Sequence, residues 1–456
     1  MQIDIKMNKI IIILLIIYTI DLCLNLFNFI KIKKWFAQPD NYLKKSNKTN
    51  LYILIPMMNE QVIAQETFKH FYNFCTEFTN YKVVYITTDR ETKKTGKEHT
   101  YDILNKMCVQ YNSPNIFLFH YTGKGIMSHQ LNYAIKMIDK FDEDDYWIAI
   151  YNADSRITKE TFLAFESMVS TWKNEPVCFQ QYSYYSLPSG IKKKSIIGSA
   201  VLWQNRWSLL FEISRVIYQN WLDKKLRRYG FKLQYILNIL IGKMNYVIGH
   251  GLYIRRSVLQ SVGFFPENSI NEDAFLGFLL NEARIKIIPF KELEHAEFVD
   301  RIDSYIKQQN VWFNGPFDAF KYYKSWINSG DRSIERKING FILCIKLFMH
   351  SIYWILSPFI LIILLPMLCI LTKNFTCLII SILLCICLLP LINMLISQFL
   401  KKNFSKNNFP EASFANCLLF YLIHSFGPLY NIILRCQGRN NIHNKYKTRR
   451  NENLEE

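Results

Sequence analysis

Asn152-Ala153-Asp154-Ser155 closes a short apolar run, Tyr146 to Tyr151, rich in aromatic and branched residues. Such a run predicts a buried strand, and Thr158 to Trp172 beyond it predicts a helix. Asn152 and Asp154 then present two oxygen-bearing side chains, two residues apart, at a strand's end. That arrangement suits a hard divalent cation, Mg2+ or Mn2+, that also grips a diphosphate. An acid at such a turn equally serves as a helix cap, so the motif does not decide alone. A second acidic pair, Glu272-Asp273, opens a helix after the glycine-bearing stretch Tyr246 to Arg255. The helix dipole favours acids there whatever their use. In a displacement at a diphosphate-bearing carbon, a cation on Asp154 would neutralise the leaving group. The attacking hydroxyl needs a carboxylate to take its proton, and Asp273 is the candidate.

The elements that must position these residues alternate strand and helix from Leu51 onward. Leu51 to Pro56, Tyr81 to Thr88, Asn115 to His120 and Tyr146 to Tyr151 predict strands. A helix running to about Phe78 and another opening at Gly123-Lys124-Gly125 lie between them. The alternation predicts an α/β fold with a mostly parallel sheet and helices on both faces. In such sheets ligands sit beyond the carboxyl ends of the strands. Glu60, Asp89 and Asp154 each fall just past such an end, which capping alone explains poorly. Val177 to Tyr184 and Tyr246 to Arg255 predict further strands, and Gly198 to Leu222 an aromatic-rich helix. Gly249 and Gly251 would let backbone approach a ligand closely, and His250 between them reads as structural.

The chain has 456 residues, half of them apolar, and a formal net charge of +18. Its basic residues cluster beside apolar stretches, as at Lys31 to Lys34, Lys401-Lys402 and Lys445 to Arg450. That placement argues for anionic headgroups and against nucleic acid as the partner. Ile10 to Ile30 is long enough for a retained membrane anchor. The lysines after it (Lys31, Lys33, Lys34, Lys44, Lys45, Lys48) place the adjoining α/β region in the cytoplasm. Basic residues Lys224, Lys225, Arg227 and Arg228 beside aromatic helices suggest interfacial elements. Ser351 to Leu371 and Phe375 to Leu400 predict two more spans, with Lys401, Lys402 and Lys406 marking the cytoplasmic side. Phe414 to Leu434 is a further apolar stretch, broken by His424 and Gly427-Pro428, that either crosses or lies in the interface. The eleven cysteines form no CxxC pair and read as small buried hydrophobes.

Taken together, the motifs from Leu51 to Pro316 resemble the family 2 glycosyltransferases, which have a GT-A nucleotide-sugar-binding fold. The resemblance rests on Pro56-Met-Met-Asn59-Glu60, Asp89, Gly123-Lys124 followed by Leu131-Asn132-Tyr-Ala134, Asn152-Ala-Asp154, Glu272-Asp273 and Gln308-Gln-Asn-Val-Trp312. It implies that Glu60 and Asp89 hold the nucleotide's base and ribose. It adds Pro56, Asn59, Lys124, Asn132, Gln308 and Trp312 to the donor-binding residues. Asn152 stands where the family carries the first acid of Asp-x-Asp, leaving Asp154 as the metal ligand. Val311 stands in place of the arginine of Gln-x-x-Arg-Trp, which argues against processive polymerisation.

The function these readings imply is inverting transfer from a nucleotide-sugar donor to a glycan or lipid-linked acceptor of the cell surface. The resemblance and the spans imply a multi-pass protein of the cell membrane that touches its lipids. Residues 1–34 would be the anchor, 45–335 a cytoplasmic GT-A-like domain, 338–436 a membrane region and 437–456 a basic cytoplasmic tail. Alternatives are transfer of one sugar to a polyprenyl phosphate, and a catalytically silent membrane scaffold. A transporter fits poorly with so few spans. A glycoside hydrolase fits poorly with acids placed at strand ends.

Overall fold

Strand residues of opposite parity bury two separate apolar faces, and this sets the architecture of the computed structural model. It describes residues 2–39, 49–91, 98–173, 175–226, 231–404 and 408–439. Lys44, Lys45, Lys48, Arg227, Arg228, Lys406 and the tail from Lys445 to Arg450 lie outside the described residues. The strands are β1 (Leu51–Pro56), β2 (Tyr81–Thr88), β3 (Ile116–Tyr121), β4 (Trp147–Ile150) and β5 (Val177–Gln180), then β6 (Ser183–Ser186), β7 (Leu252–Arg255), β8 (Lys286–Pro289) and β9 (Glu294–Glu297). Seven of them form one sheet in the order β3-β2-β1-β4-β7-β5-β8. Only β7 runs antiparallel to its neighbours, β4 and β5. β6 and β9 pair parallel as a second, small sheet.

On one face Ile53, Ile55, Val83, Tyr85, Ala149 and Phe179 pack on Phe68, Phe71, Phe162 and Phe165 of the Ala64–Glu77 and Lys159–Thr171 helices. On the other, Leu54, Val84, Ile86, Ile148 and Ile254 pack on Leu131, Ile135 and Ile138 of the Met127–Ile138 helix. That second core continues through Leu209, Leu210 and Ile213 to Phe29 and Ile32 of the Gln2–Phe36 helix and Ile396 and Phe399 of the Ile392–Asn403 helix. Each such side chain contributes about 1.5–3 kcal/mol on burial. The expected mostly parallel sheet, covered by helices on both faces, is therefore observed.

Among the described residues four helices are long and apolar enough to cross a membrane: Lys6–Phe36, Ile334–Leu371, Phe375–Asn403 and Phe414–Cys436. Ile334–Leu371 and Phe375–Asn403 each continue through a π-helical turn, at Ile360–Leu364 and Cys387–Leu391. Phe414–Cys436 divides at Ser425 into two shorter helices. Both of its ends meet elements of the sheet domain. Just before it, the Glu411 amide donates to the Lys193 carbonyl at 3.1 Å and the Leu187 amide to the Asn408 carbonyl at 2.8 Å. At its far end Arg435 donates to both oxygens of Asp318, at 2.9 and 3.1 Å. Asn431 meanwhile donates to the Asn310 carbonyl at 2.8 Å, on the Ile302–Phe317 helix.

Two expected strands are shorter in the structure. Val177 to Tyr184 divides into β5 and β6, because Gln181 donates its amide to the Gly251 carbonyl at 2.7 Å and leaves the large sheet. Tyr246 to Arg255 is extended only over β7, because Gly251 turns the chain at φ +65°. The close approach at Gly251 is to protein: an added Cβ would lie 2.4 Å from the Gln181 carbonyl oxygen. The aromatic helix from Gly198 is also interrupted, by a π-helical turn at Trp207–Ile213. Gly251→Ala should lower thermal stability in detergent by at least about 1–2 kcal/mol from the left-handed backbone alone. Gly249→Ala, whose Cβ would meet nothing nearer than 3.5 Å, should melt close to the native chain.

Candidate active site

The carboxyl ends of β1, β2 and β3 bring the first group of candidates together. Pro56 ends β1 half-buried, and the Met57 amide still donates to the Ile86 carbonyl at 2.8 Å. Asn59 then turns the chain at φ +59°, a left-handed conformation that asparagine tolerates. The Glu60 amide donates to Thr100 Oγ1 at 3.1 Å, and its carbonyl accepts from Ile63 and Ala64 to start the helix. Beneath it, buried Glu91 accepts from the Thr100 amide and hydroxyl, each at 2.9 Å. Asp89 ends β2 with Oδ1 2.7 Å from His120 Nε2, while His120 Nδ1 lies 2.8 Å from Thr87 Oγ1.

Gly123-Lys124-Gly125 follows β3 as a tight loop. An added Cβ at Gly123 would lie 2.3 Å from the Tyr121 hydroxyl, and at Gly125 2.4 Å from His129 Cβ. Lys124 is exposed at its tip. Asn132, one turn into the following helix, is turned inward. Its side chain donates to the Phe265 carbonyl at 2.9 Å and to Glu267 at 2.8 Å, and accepts from the Phe265 amide at 3.1 Å. The structure therefore places Asn132 as a clamp on the 265–267 segment.

Asp154 is exposed past the end of β4 and Asn152 is half-exposed. A compact turn fixes them: the Asn152 amide donates to Ser155 Oγ at 3.2 Å and the Ser155 amide to the Asn152 carbonyl at 3.1 Å. Glu272 and Asp273 begin the Glu272–Glu282 helix, Glu272 buried and Asp273 half-buried. Gly249 joins them to the rim. Its ideal Cβ would lie 3.5 Å from Asp273 Oδ2, 3.9 Å from Glu272 Oε1 and 3.8 Å from Met127 Cε.

Three residues complete this centre: His250, which the sequence reads as structural, and Glu212 and Glu294, which no motif singles out. His250 Nδ1 lies 2.7 Å from Glu294 Oε2, with both side chains largely buried. Burial opposes the charged imidazolium, but the charge and hydrogen bond of Glu294, with Asp154 and Glu212, outweigh it and raise the His250 pKa. Glu212 accepts from Trp207 Nε1 at 3.0 Å inside the π-helical turn. Burial lifts its pKa to about 7 against the Trp207 hydrogen bond and the charges of His250 and Arg215, and Asp273 adds to the rise. Asp154 and Asp273 therefore bear on one buried His250–Glu212 neighbourhood from separate elements. Glu212 was detectable as a lone acid in an apolar, aromatic segment. Glu294 and the engagement of His250 carry no such local signal.

Gln308 and Trp312 occupy the Ile302–Phe317 helix, sharing a face with Gly315 by their three- and four-residue spacing. An added Cβ at Gly315 would lie 3.1 Å from Ala274 Cβ and 3.6 Å from Asn271 Nδ2. That helix face therefore crosses the start of the Glu272–Glu282 helix. Gln308 Oε1 is buried without a hydrogen-bond partner among the described residues.

Among the described residues no three His, Cys, Asp or Glu side chains cluster to cage a metal ion. Asp154 and Asn152 offer one carboxylate and one amide oxygen. This donor set fits a cation that shares its ligands with a substrate diphosphate and water.

Residues 202–397 match the model described as glycosyl transferase family group 2. No curated protein matches the chain by sequence. Among solved structures, the mannosyltransferase PcManGT from Pyrobaculum calidifontis, in complex with GDP-Man and Mn2+, is 12% identical with a TM-score of 0.48, covering 92% of this chain and 97% of that one. TarS 1-349 from S. aureus, in complex with UDP-GlcNAc, is 12% identical with a TM-score of 0.40, covering 86% and 93%.

The raised Glu212 pKa makes a signed prediction. Between the ordinary glutamate range and about 7, the folded chain holds a proton that the unfolded chain releases. This contribution to stability is full at the acid end and is lost as pH rises through that window. Glu212→Gln should therefore raise the melting temperature relative to the native chain at pH 8 and lose that advantage at pH 4, measured by thermal unfolding in detergent. The similarity to glycosyl transferase family group 2 thus covers residues 202–397, a little under half of the chain.

Proposed function

We propose that this chain is a membrane-anchored, inverting glycosyltransferase, moving a sugar from a nucleoside diphosphate to an acceptor hydroxyl of a cell-surface polysaccharide or glycolipid. The observation that carries the reading is that Asp154 lies just past the end of β4 while Asp273 opens a helix beside Gly249, whose ideal Cβ would lie 3.5 Å from Asp273 Oδ2. A leaving-group site and a proton acceptor are needed on one rim, and these two acids supply them. Glu60 and Asp89 would receive the base and ribose beyond β1 and β2, with Pro56 and Asn59 shaping that wall. Lys124 would approach the diphosphate from its exposed loop. Asn132 would act indirectly, through the 265–267 segment. Gln308 and Trp312 would face the sugar or acceptor across the start of the Glu272–Glu282 helix.

Asp154, with Asn152, would hold a Mg2+ or Mn2+ ion. When bound, that ion offsets the charge developing on the diphosphate. Asp273 takes the acceptor proton at its carboxylate as the hydroxyl oxygen attacks the anomeric carbon. Glu272, buried behind it, fixes the start of the helix that aims it. One base and no enzyme nucleophile imply single displacement, hence inversion. Val311 in place of arginine supports transfer of single sugars.

The same reading extends to the membrane. Residues 1–34 form the anchor, 45–335 the catalytic domain, 338–436 the membrane region and 437–456 the tail. Asn374 donates to Asn8 Oδ1 at 3.2 Å, so the turn between the second and third apolar helices lies beside the first helix's start. Lys31 follows Asn8 by about 34 Å of helix, close to the ~30 Å of a hydrocarbon core. Asn8 and Asn374 would thus lie outside, with Lys31, Lys402 and the sheet domain on the cytoplasmic side. Because both ends of Phe414–Cys436 meet the sheet domain, that segment would rest in the interface without crossing.

Incubating the purified chain with a panel of nucleotide sugars, and following nucleoside diphosphate release, tests the activity. Asp273→Asn should keep donor binding but lower transfer by about 10²–10⁴. Asp154→Ala should abolish divalent-dependent donor binding in calorimetry while the fold persists. No release with any donor would leave the silent-scaffold alternative standing. For topology, a cysteine at position 374 in a cysteine-free background should react with an impermeant reagent outside intact cells, and one at 402 should not. The reverse pattern would overturn the arrangement.

A further inference from the structure

A second charged centre lies beside the first, where the Gln2–Phe36 and Ile334–Phe359 helices meet the Ser214–Leu226 helix. Lys31 and Lys243 approach the Tyr218 ring, with their ammonium groups 5.0 and 5.8 Å from its centre. Lys346 donates to the Ile239 and Gly242 carbonyls at 2.6 and 2.7 Å, at the end of the Phe231–Ile241 helix. One turn further along the same helix as Lys346, His350 Nε2 lies 2.9 Å from Arg215 Nη2. Four cations from four segments therefore converge, and among the described residues no carboxylate forms an ion pair with any of them. Glu212, the acid whose charge reaches Arg215, is itself largely held protonated up to about neutral pH by burial. Partial desolvation of its ammonium group and the charge of Arg215 lower the Lys243 pKa. Like charges so arranged repel unless an anion joins them. Lys243 is exposed, and Lys31, Arg215 and Lys346 are half-exposed. Around them the surface is aromatic and apolar, including Trp221, Leu240 and Ile241.

We propose that Lys31, Arg215, Lys243 and Lys346 bind the phosphate of a membrane lipid. The inference rests on the membrane part of the proposed function, which puts Lys31 and Lys346 at the cytoplasmic boundary of the bilayer. A lipid phosphate at that height meets the ammonium groups while its chains lie against the exposed apolar residues below. Two sources share this chemistry: a headgroup of the surrounding bilayer, or a phosphate-bearing isoprenoid that carries the acceptor. The second would bring the acceptor to the Glu212 side of the site, since Arg215 and Asp273 both act on Glu212.

The test uses the full chain in detergent, without nucleotide. It is titrated with dioleoyl phosphatidic acid, a polyisoprenyl phosphate, dioleoylglycerol and inorganic phosphate, with binding read by native mass spectrometry. The lipid phosphates should bind and dioleoylglycerol should not. Lys243→Gln, at an exposed position where packing is not disturbed, should weaken binding about fivefold, and adding Lys346→Gln about fivefold again. Lys401→Gln with Lys402→Gln, outside the cluster, should change little. Preference for the polyisoprenyl phosphate would identify an acceptor carrier; equal affinity for phosphatidic acid would identify a bilayer headgroup. Equal binding of dioleoylglycerol, inorganic phosphate binding as tightly as the lipids, or Lys243→Gln at full affinity would overturn the proposal. Because no donor is present, a chain inactive with every nucleotide sugar would still bind if the site is real, and loss of binding would leave sugar transfer untouched.

Discussion

One apolar core spans the sheet and the helices suited to the membrane, and the remaining arrangement depends on it. Leu54 and Ile148 belong to the same buried cluster as Phe29 and Ile396, with Leu209, Leu210 and Ile213 between them. Unlike a domain tethered by a linker, the sheet cannot tilt against those helices without opening that cluster. The rim that carries Asp154 is thereby held in a fixed position relative to Lys31. Smaller polar ties act in the same sense. Arg206 donates to Asn25 at 3.1 Å, Asn28 to the Leu210 carbonyl at 3.0 Å, and Arg435 to Asp318. Removing one partner of the half-buried Arg435–Asp318 pair would strand a charge, which makes such pairs more effective at fixing geometry than at adding stability.

The sheet was legible because its strands alternate by parity or run continuously apolar, and because helices of ordinary length separate them. β8 and β9 escaped notice: each has four residues, and Glu294-His-Ala-Glu297 has a polar composition that suits neither face of a core. The Tyr246 to Arg255 stretch looked uniformly extended because a positive φ at Gly251 leaves no trace beyond the glycine itself. At the site, Asp154 and Asp273 were readable from their place at element starts and ends. His250 and Glu294 were not, since a pairing across 44 residues depends on the chain's path. Asn132 shows the opposite limit. Its spacing from Gly123-Lys124 was visible, but its contact with the Phe265 backbone was not.

Charge in the centre is balanced in a graded way. His250 feels the charges of Glu294 and the more exposed Asp154, and Glu212 those of His250, Arg215 and Asp273. The acids of the rim and the neighbouring basic cluster therefore both act on one buried carboxyl group. Low local dielectric strengthens both interactions, and the Trp207 ring that donates to Glu212 stacks on Phe211 with ring centres 5.1 Å apart. A substrate bringing its own negative charge would enter a field already shaped along that axis.

The π-helical turn at Trp207–Ile213 has a consequence for how this sequence can vary. A widened turn carries one more residue than an α-helix of equal rise, so it fixes the angular register of every residue after it. Deleting a single residue there would let the turn close to ordinary winding while the Ser214–Leu226 helix keeps its orientation. Arg215 would stay beside His350, but Glu212 and Trp207 would lose the five-residue spacing across which they now pair. Truncating Leu209, Leu210 or Ile213 would instead open the shared core. The turn is therefore a store of slack in length, with none in packing.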